Sequence, residues 1–453
     1  MTLLIISPDY ASHLYPLATL GTAWLRAGER VVVASGPATA GIVADFGFER
    51  VNLQLGRGSN PGTIRAEDQP TGEDDALRGF FDATRVGMVE TLTFQAEARS
   101  SDLLYNPVEI ARTVQRLVAE IAPDQVIVDH LAFNARLGLL SAQIPHADVV
   151  LGHPSALPVA GEVYGYPPDW PTVFTPDTAA LARLHRLCAD VRDSFTGQWN
   201  AALAELDPDA TPSRDAFQEA GDLLLLNYPE ELHDPARTAL LPPHVFLGSA
   251  VRDETPDGPV LSWLAESDLP VVYVSFGSFL AVRGDVLARV SAALREVTDA
   301  AGAPAVRVAL AIGSTDAAEL GTIPSSWLVR AFLPQVTLLR HSVLAVSHGG
   351  NNSVTEAMTA GVPLVLLPFS TDQFAGAAAL DAAGLGVSID PNAASVAEIL
   401  AAVQGLLDLG AEPRGRLAEL GVSLRASGTH SGARGGAGPL RARAALGRVP
   451  AAT

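Results

Sequence analysis

The sequence predicts an α/β protein of two consecutive doubly wound domains facing each other across a cleft. Three observations carry this. Short apolar runs alternate with segments of helical period along most of the chain. The alternation pauses at a Pro-, Gly- and Asp-rich stretch, residues 242–259, and then restarts. The 453 residues also exceed what one hydrophobic core ordinarily serves.

Residues 3–6 form the first apolar run, ended by Ser7-Pro8. Leu14, Leu17, Leu20, Trp24 and Leu25 then recur at helical spacing, and Gly28 closes the pattern. Residues 31–34 are the next run, stopped by Gly36-Pro37, which completes a strand–helix–strand unit and seeds a parallel sheet. Further strands are expected at 125–128, 148–151 and 223–226. Beyond residue 259 the expected strands are 271–275, 306–312, 328–332, 343–347, 364–367 and 387–389, with a helix through 286–297. In such sheets ligands sit beyond the carboxyl ends of the strands. Residues 56–75, rich in Gly, Pro and acid, are expected to form a mobile loop, and the Arg/Gly/Ala-rich tail from 414 to 453 has a helical pattern in its last part.

Composition removes several function classes. Apolar residues are 48% of the chain and charged residues 18%, so packed cores are expected and disorder is not. A net charge of −20 repels a polyphosphate chain, which argues against a nucleic-acid reader. All 30 basic residues are arginine, so a P-loop with its lysine is ruled out. Phosphate must then be held by main-chain N–H groups, hydroxyls, His or Arg, most naturally at a helix N-terminus. Cys188 is the single cysteine, which suits a reducing cytosol. The first ten residues are apolar but short and without a basic flank, so they read as a strand and not as a signal peptide. No apolar run is long enough to span a bilayer.

The strongest local signal lies between residues 343 and 363. A strand ends at Ser347, His348-Gly349-Gly350 makes a tight loop, and a short helix starts near Asn352 and stops at Gly361 before Pro363. Two glycines let backbone approach a ligand closely, and the helix start presents free N–H groups to a phosphate. His348 and Ser353 add side-chain donors. A second reading stays open, because Ser353-x-x-Glu356 is also a capping box that ties off the helix. Ser278, after the strand at 271–275, is either a phosphate-binding hydroxyl or a turn residue. Asp372 and Gln373 have groups that suit sugar hydroxyls, though Asp372 also fits the N-cap of the following helix.

These residues resemble the donor signature of family 1 glycosyltransferases, the nucleotide-sugar-dependent enzymes of GT-B fold that decorate natural products, here of the bacterial type. The resemblance runs nearly end to end. It is densest in Phe332-Leu-Pro-Gln335, Leu338-Leu-Arg-His341, His348-Gly-Gly-Asn-Asn-Ser353, Glu356, Gly361-Val-Pro363 and Asp372-Gln373. It implies a pyrimidine base against Phe332 and Leu333, ribose on Gln335 and Glu356, and the diphosphate on His348, Gly350, Asn352, Ser353 and Ser278. It also places the sugar on Asp372 and Gln373. Residues 1–241 would bind the acceptor and 260–413 the donor, with 242–259 as linker and the tail from 414 returning as a helix to the first domain. The chain departs from plant members at Phe332 and Asn351, where they carry Trp.

The resemblance also places a base in the first strand–helix loop, where Ser12-His13-Leu-Tyr-Pro16 fits with Ser12 in place of a glycine, and an orienting carboxylate at Asp129. The chemistry is sound on its own terms. A neutral imidazole removes the proton of an alcohol as the bond to the sugar forms, and a carboxylate on the other ring nitrogen fixes the tautomer. The bland alternatives are a His at a helix start and an Asp capping the helix after His130. The expected reaction is an inverting transfer from a UDP- or dTDP-sugar, without cofactor or metal, to a hydroxyl or nitrogen of a small secondary-metabolite acceptor. Asp207-Pro-Asp209 spells a metal motif but lies far from the donor segment. The rival readings are a nucleotide-sugar epimerase and a non-catalytic binding module. Phe80, Phe81, Met88, Phe94, Trp170 and Phe174 are candidates for an acceptor pocket or for core.

Overall fold

The computed structural model describes residues 1–62, 73–425 and 437–447, without the side chains of residues 100–102 and 278. Parts of the expected loop at 56–75 and of the expected tail therefore lie outside the described residues. Two parallel sheets carry the chain. The first has seven strands: β1 (Thr2–Ile6), β2 (Arg30–Ser35), β3 (Glu49–Asn52), β4 (Gln125–Asp129), β5 (Ala147–Val150), β6 (Leu223–Leu226) and β7 (His244–Phe246), in the order β3-β2-β1-β4-β5-β6-β7. The second has six: β8 (Val271–Ser275), β9 (Arg307–Ala311), β10 (Leu328–Arg330), β11 (Ser342–Ser347), β12 (Leu364–Leu366) and β13 (Gly386–Ser388), ordered β10-β9-β8-β11-β12-β13. In both, the first strand pairs on one side with the second and on the other with the fourth. That reversal is the switch point at which doubly wound sheets open a crevice.

The central strands are apolar throughout because both faces are covered. Leu3 and Ile5 pack with Leu14, Leu17 and Trp24 on one face of the first sheet, whereas Leu4 and Ile6 meet Ile110, Val114 and Leu139 on the other. Likewise Val272 and Val274 face Val286 and Val290, and Val271 and Tyr273 face Val354 and Met358.

Two strands escaped the sequence reading. β3 is an edge strand whose Glu-Arg-Val-Asn composition carries no apolar run. β7 lies inside the stretch expected to be linker, so 242–259 is not wholly a connection: the crossing between sheets runs from Phe246 to the helix Gly258–Ala265. The expected boundary at 413/414 likewise falls inside a helix, Ala411–Arg425, which packs Leu417, Leu420 and Leu424 into the second unit. The last described helix, Gly438–Leu446, then buries Ala442, Ala445 and Leu446 against the first unit. Arg443 pairs there with Glu29 at 2.8 Å.

Candidate active site

A cavity of about 690 Å³ lies between the two sheets and is lined by residues of both. Both switch points open on it. Register explains why: Ile6 at the end of β1 lies beside Val128 in β4, and Ser275 at the end of β8 beside Ser347 in β11. The chain leaving each strand therefore delivers its next residues to one place.

At the first switch point the helix Ala11–Arg26 begins with His13 in its first turn, and β4 ends in Asp129. His13 Nδ1 lies 2.7 Å from Asp129 Oδ2, and the carboxylate is wholly buried while the imidazole is 24% exposed. A carboxylate only accepts, so Nδ1 carries the proton and Nε2 is left as the basic atom. Leu131 N–H donates to the other Asp129 oxygen at 2.8 Å. Burial opposes the imidazolium, but the charge of Asp129 and the hydrogen bond to it outweigh burial, with a further pull from Asp372. His13 is thus held above the usual histidine value. Burial would also raise Asp129, yet attraction to His13 and the hydrogen bonds hold it below the usual carboxylate range.

At the second switch point the helix Asn351–Ala360 starts with Gly350 as N-cap and no side-chain cap. The capping-box alternative fails here. Glu356 turns away from the helix start, accepting from Arg252 Nη1 at 2.9 Å and from Gln335 Nε2 at 2.6 Å. The first N–H groups of the helix are left without a cap, at a cavity wall formed by Gly350, Asn351, Asn352 and Ser353. His348 sits between two glycines that have no room for a side chain. A Cβ on Gly350 would lie 2.3 Å from its Nε2, and one on Gly277, whose φ is +69°, 2.8 Å from its Cε1. Burial pushes His348 down to about 4, so it is neutral and offers an uncharged ring. The described residues do not include the Ser278 side chain, on which the reading of that residue depends.

The cavity brings together His13, Phe332, Leu333, Gln335, His348, Gly350, Asn352, Ser353, Asp372 and Gln373, whereas Asp129 and Glu356 stand behind its wall as supports. Phe332 is 61% exposed, an aromatic face left open at the rim. Asp372 occupies the N-cap position of the helix Gln373–Ala383 but makes no cap bond. Its Oδ2 instead accepts from the main-chain N–H of His153 in the first unit at 2.6 Å, and its Oδ1 from Thr371 at 3.0 Å. Thr371 holds a left-handed φ of +52°, a strained conformation for a β-branched residue, at the point where the loop meets the cavity. The Gln373 amide is engaged by its own loop, accepting from the N–H groups of Phe369 and Ser370. A hydrogen bond from Asn352 Nδ2 to Ser12 O at 3.0 Å ties the two helix starts together.

Of the apolar pocket candidates, Phe80 and Phe94 line the cavity. Phe81, Met88 and Phe174 are buried in cores, and Trp170 packs beside Met88 and Phe174. Arg252 was missed. It lies in the stretch read as linker, where no local pattern distinguishes it, yet it pairs with Glu356 and, at 3.0 Å, with Glu254. Glu254 in turn accepts from the N–H groups of Val336 and Thr337, capping the helix that begins with Gln335.

Comparison with known proteins agrees with this architecture. The family model for UDP-glucoronosyl and UDP-glucosyl transferase matches residues 193–411. The NDP-glycosyltransferase YjiC of Bacillus subtilis (strain 168) is 39% identical over 101 residues, 22% of this chain and 26% of that protein. The UDP-glycosyltransferase CGT of Oryza sativa subsp. japonica is 29% identical over 350 residues, 68% of this chain and 69% of that protein. The similarity to these two thus spans about a quarter of one relative's length and about two thirds of the other's. The crystal structure of CalG4, the calicheamicin glycosyltransferase, superposes with a TM-score of 0.62 at 22% identity, over 99% of this chain and 98% of that one. Over residues 193–411 the chain is thus similar to the UDP-glucoronosyl and UDP-glucosyl transferase family, and over nearly its whole length it shares the two-sheet GT-B architecture of CalG4.

Proposed function

We propose that this chain is an inverting glycosyltransferase that moves a sugar from a UDP- or dTDP-sugar to a hydroxyl, or alternatively a nitrogen, of a small secondary-metabolite acceptor. One observation carries the reading. A buried carboxylate–imidazole pair and an uncapped helix start open on the same cavity from opposite sheets. His13 Nε2 takes the proton of the acceptor hydroxyl while the oxygen attacks the anomeric carbon. The bond from that carbon to the diphosphate oxygen breaks as the new one forms, and the departing oxygen keeps the bonding pair. Its charge is met by the N–H groups at Asn351–Ser353 and by the neutral His348 ring, with no metal ion in the scheme. Asp129 holds the tautomer of His13 and stabilises the imidazolium. Phe332 and Leu333 are assigned to the base, Gln335 with Glu356 bonded behind it to the ribose, and Asp372 with Gln373 to the sugar. Ser278 is kept as a diphosphate contact on the resemblance. A buried single cysteine, Cys188, fits a cytoplasmic enzyme.

Thermal denaturation with UDP, dTDP and GDP tests the donor half, because a ligand that binds only the folded chain raises its melting temperature. A pyrimidine nucleotide is expected to stabilise and GDP is not. Absence of any shift at saturating UDP and dTDP would sink the assignment. Incubation with sugar nucleotide but no acceptor separates transfer from epimerisation: an epimerised donor would favour the rival.

A further inference from the structure

The acceptor end of the cavity contains a cation that the reaction scheme does not use. Arg99 lies on the helix Met88–Asp102 and lines the cavity. Its guanidinium carbon sits 5.1 Å above the ring of Tyr164. That ring is itself fixed, stacked on Phe217 at 3.9 Å with 8° between planes. Gly165, at φ +86°, makes the space: a Cβ there would lie 2.9 Å from Arg99 Nη1. The next turn of the helix back presents Gln95 to the same cavity, with Phe94 beside it and Phe80 also in the lining.

Charge makes Arg99 conspicuous. The chain holds 50 acidic residues against 30 arginines, and arginines near carboxylates usually pair. The cavity's other lining arginine, Arg252, is neutralised by Glu356 and Glu254. Among the described residues Arg99 forms no ion pair, and its contact is the face of Tyr164. Of the lining carboxylates, Asp372 is occupied by the N–H of His153 and the hydroxyl of Thr371. Glu73 also lines the cavity, at the start of the helix Glu73–Val86. A guanidinium stacked on a ring keeps its edge free, and that edge matches a carboxylate bidentately.

From this geometry we infer that the acceptor is a flat aromatic molecule bearing a carboxylate, which Arg99 holds while the ring system lies among Phe80, Phe94 and Tyr164. The inference rests on the cavity being the acceptor site of a glycosyltransferase. It adds the acceptor's charge and shape, and makes Arg99 a specificity-determining residue.

The test compares a hydroxynaphthoic acid with its methyl ester, measured as equilibrium binding by fluorescence titration in the presence of UDP, so that turnover is not required. The acid is expected to bind roughly tenfold more tightly than the ester, the scale of one charge-assisted contact. In Arg99→Leu the ratio of the two affinities falls to about one, and Arg99→Lys, which keeps the charge without the fork, recovers part of it. Equal affinities in the unsubstituted protein overturn the proposal, as does a ratio that Arg99→Leu leaves intact; the latter makes Arg99 a prop for Tyr164 only. The UDP-induced thermal shift, measured on each variant, reports separately on folding and on the donor site. A lost shift indicts the glycosyltransferase reading, whereas a kept shift with equal acid and ester binding indicts this inference alone.

Discussion

His13 and Asp129 stand 116 residues apart in sequence and 2.7 Å apart in space. The imidazole is at the cavity wall and the carboxylate is sealed beneath it. This pair makes a pH prediction. A base must be neutral to act, and the His13 value is raised, so kcat/KM is expected to rise with pH through a point above the usual 6.5. Asp129→Asn removes the main cause of the raise. Its acid limb is expected at lower pH, with kcat reduced by roughly two to four orders of magnitude through loss of the tautomer. His13→Ala abolishes transfer while UDP binding persists. Initial rates over a pH series check all three, and full activity of His13→Ala removes the base from the scheme.

Gly350 has ordinary extended backbone, φ −62° and ψ 147°, so Gly350→Ala strains no main chain. Its new Cβ would meet His348 Nε2 at 2.3 Å and displace the ring from its place between Gly350 and Gly277. We expect kcat/KM to fall by roughly a hundredfold, the scale of an ångström's misplacement in an active site. Gly41→Ala, whose Cβ meets nothing within 4 Å, is the control that should change nothing.

Arg252 and Glu356 form a pair in which the carboxylate is 4% exposed. Arg252→Leu leaves the buried Glu356 without its ion-pair partner, held by the Gln335 hydrogen bond and the more distant charge of Arg340, and is expected to destabilise by about 3 kcal/mol. Adding Glu356→Gln to the same chain should restore much of the loss, because the stranded charge is gone. Denaturant midpoints of the single and double variants decide it; a double variant no better than Arg252→Leu contradicts the account.

Burial holds His153 down to about 3, and His233 and His348 down to about 4. Between about 4 and 6.5 the unfolded chain binds protons at these sites and the folded chain does not. Stability therefore falls as pH drops through that window, by at most about 1.4 kcal/mol per pH unit for each histidine. His13 acts oppositely: its raised value adds stability at low pH that fades as pH rises through it. Melting temperature measured across the window should fall towards acid, and His348→Gln should make the fall shallower. A flat profile would refute the burial account.

Much of the architecture was legible from residue order. Local periodicity placed eleven of the thirteen strands among the described residues within a few residues, since a strand buried on both faces must be apolar along its whole length. Gly349, Gly350 and the stop at Gly361 are likewise local demands of chain geometry, and Gly361 holds the left-handed φ of +74° that ends the helix. β3 and β7 were not legible, because an edge strand buries too little to show a pattern.

The amino-acid order by itself determined the two sheets and the helix start after the two glycines, and the family resemblance singled out His13 and Asp129 as candidates. Only the tertiary structure decided what each charged side chain faces. Glu356 reads locally as half of a capping box, and it became the partner of an arginine 104 residues away because burying a carboxylate demands a cation wherever the fold supplies one. Asp372 reads locally as an N-cap, and the opposite domain's main chain claimed it instead. Arg99 carries no signal in its own neighbourhood; its place at the cavity wall, without an ion pair among the described residues, exists only once Tyr164 and Gly165 have been folded against it. Backbone preference is set by near neighbours in sequence, whereas electrostatic partnership is set by distance in space.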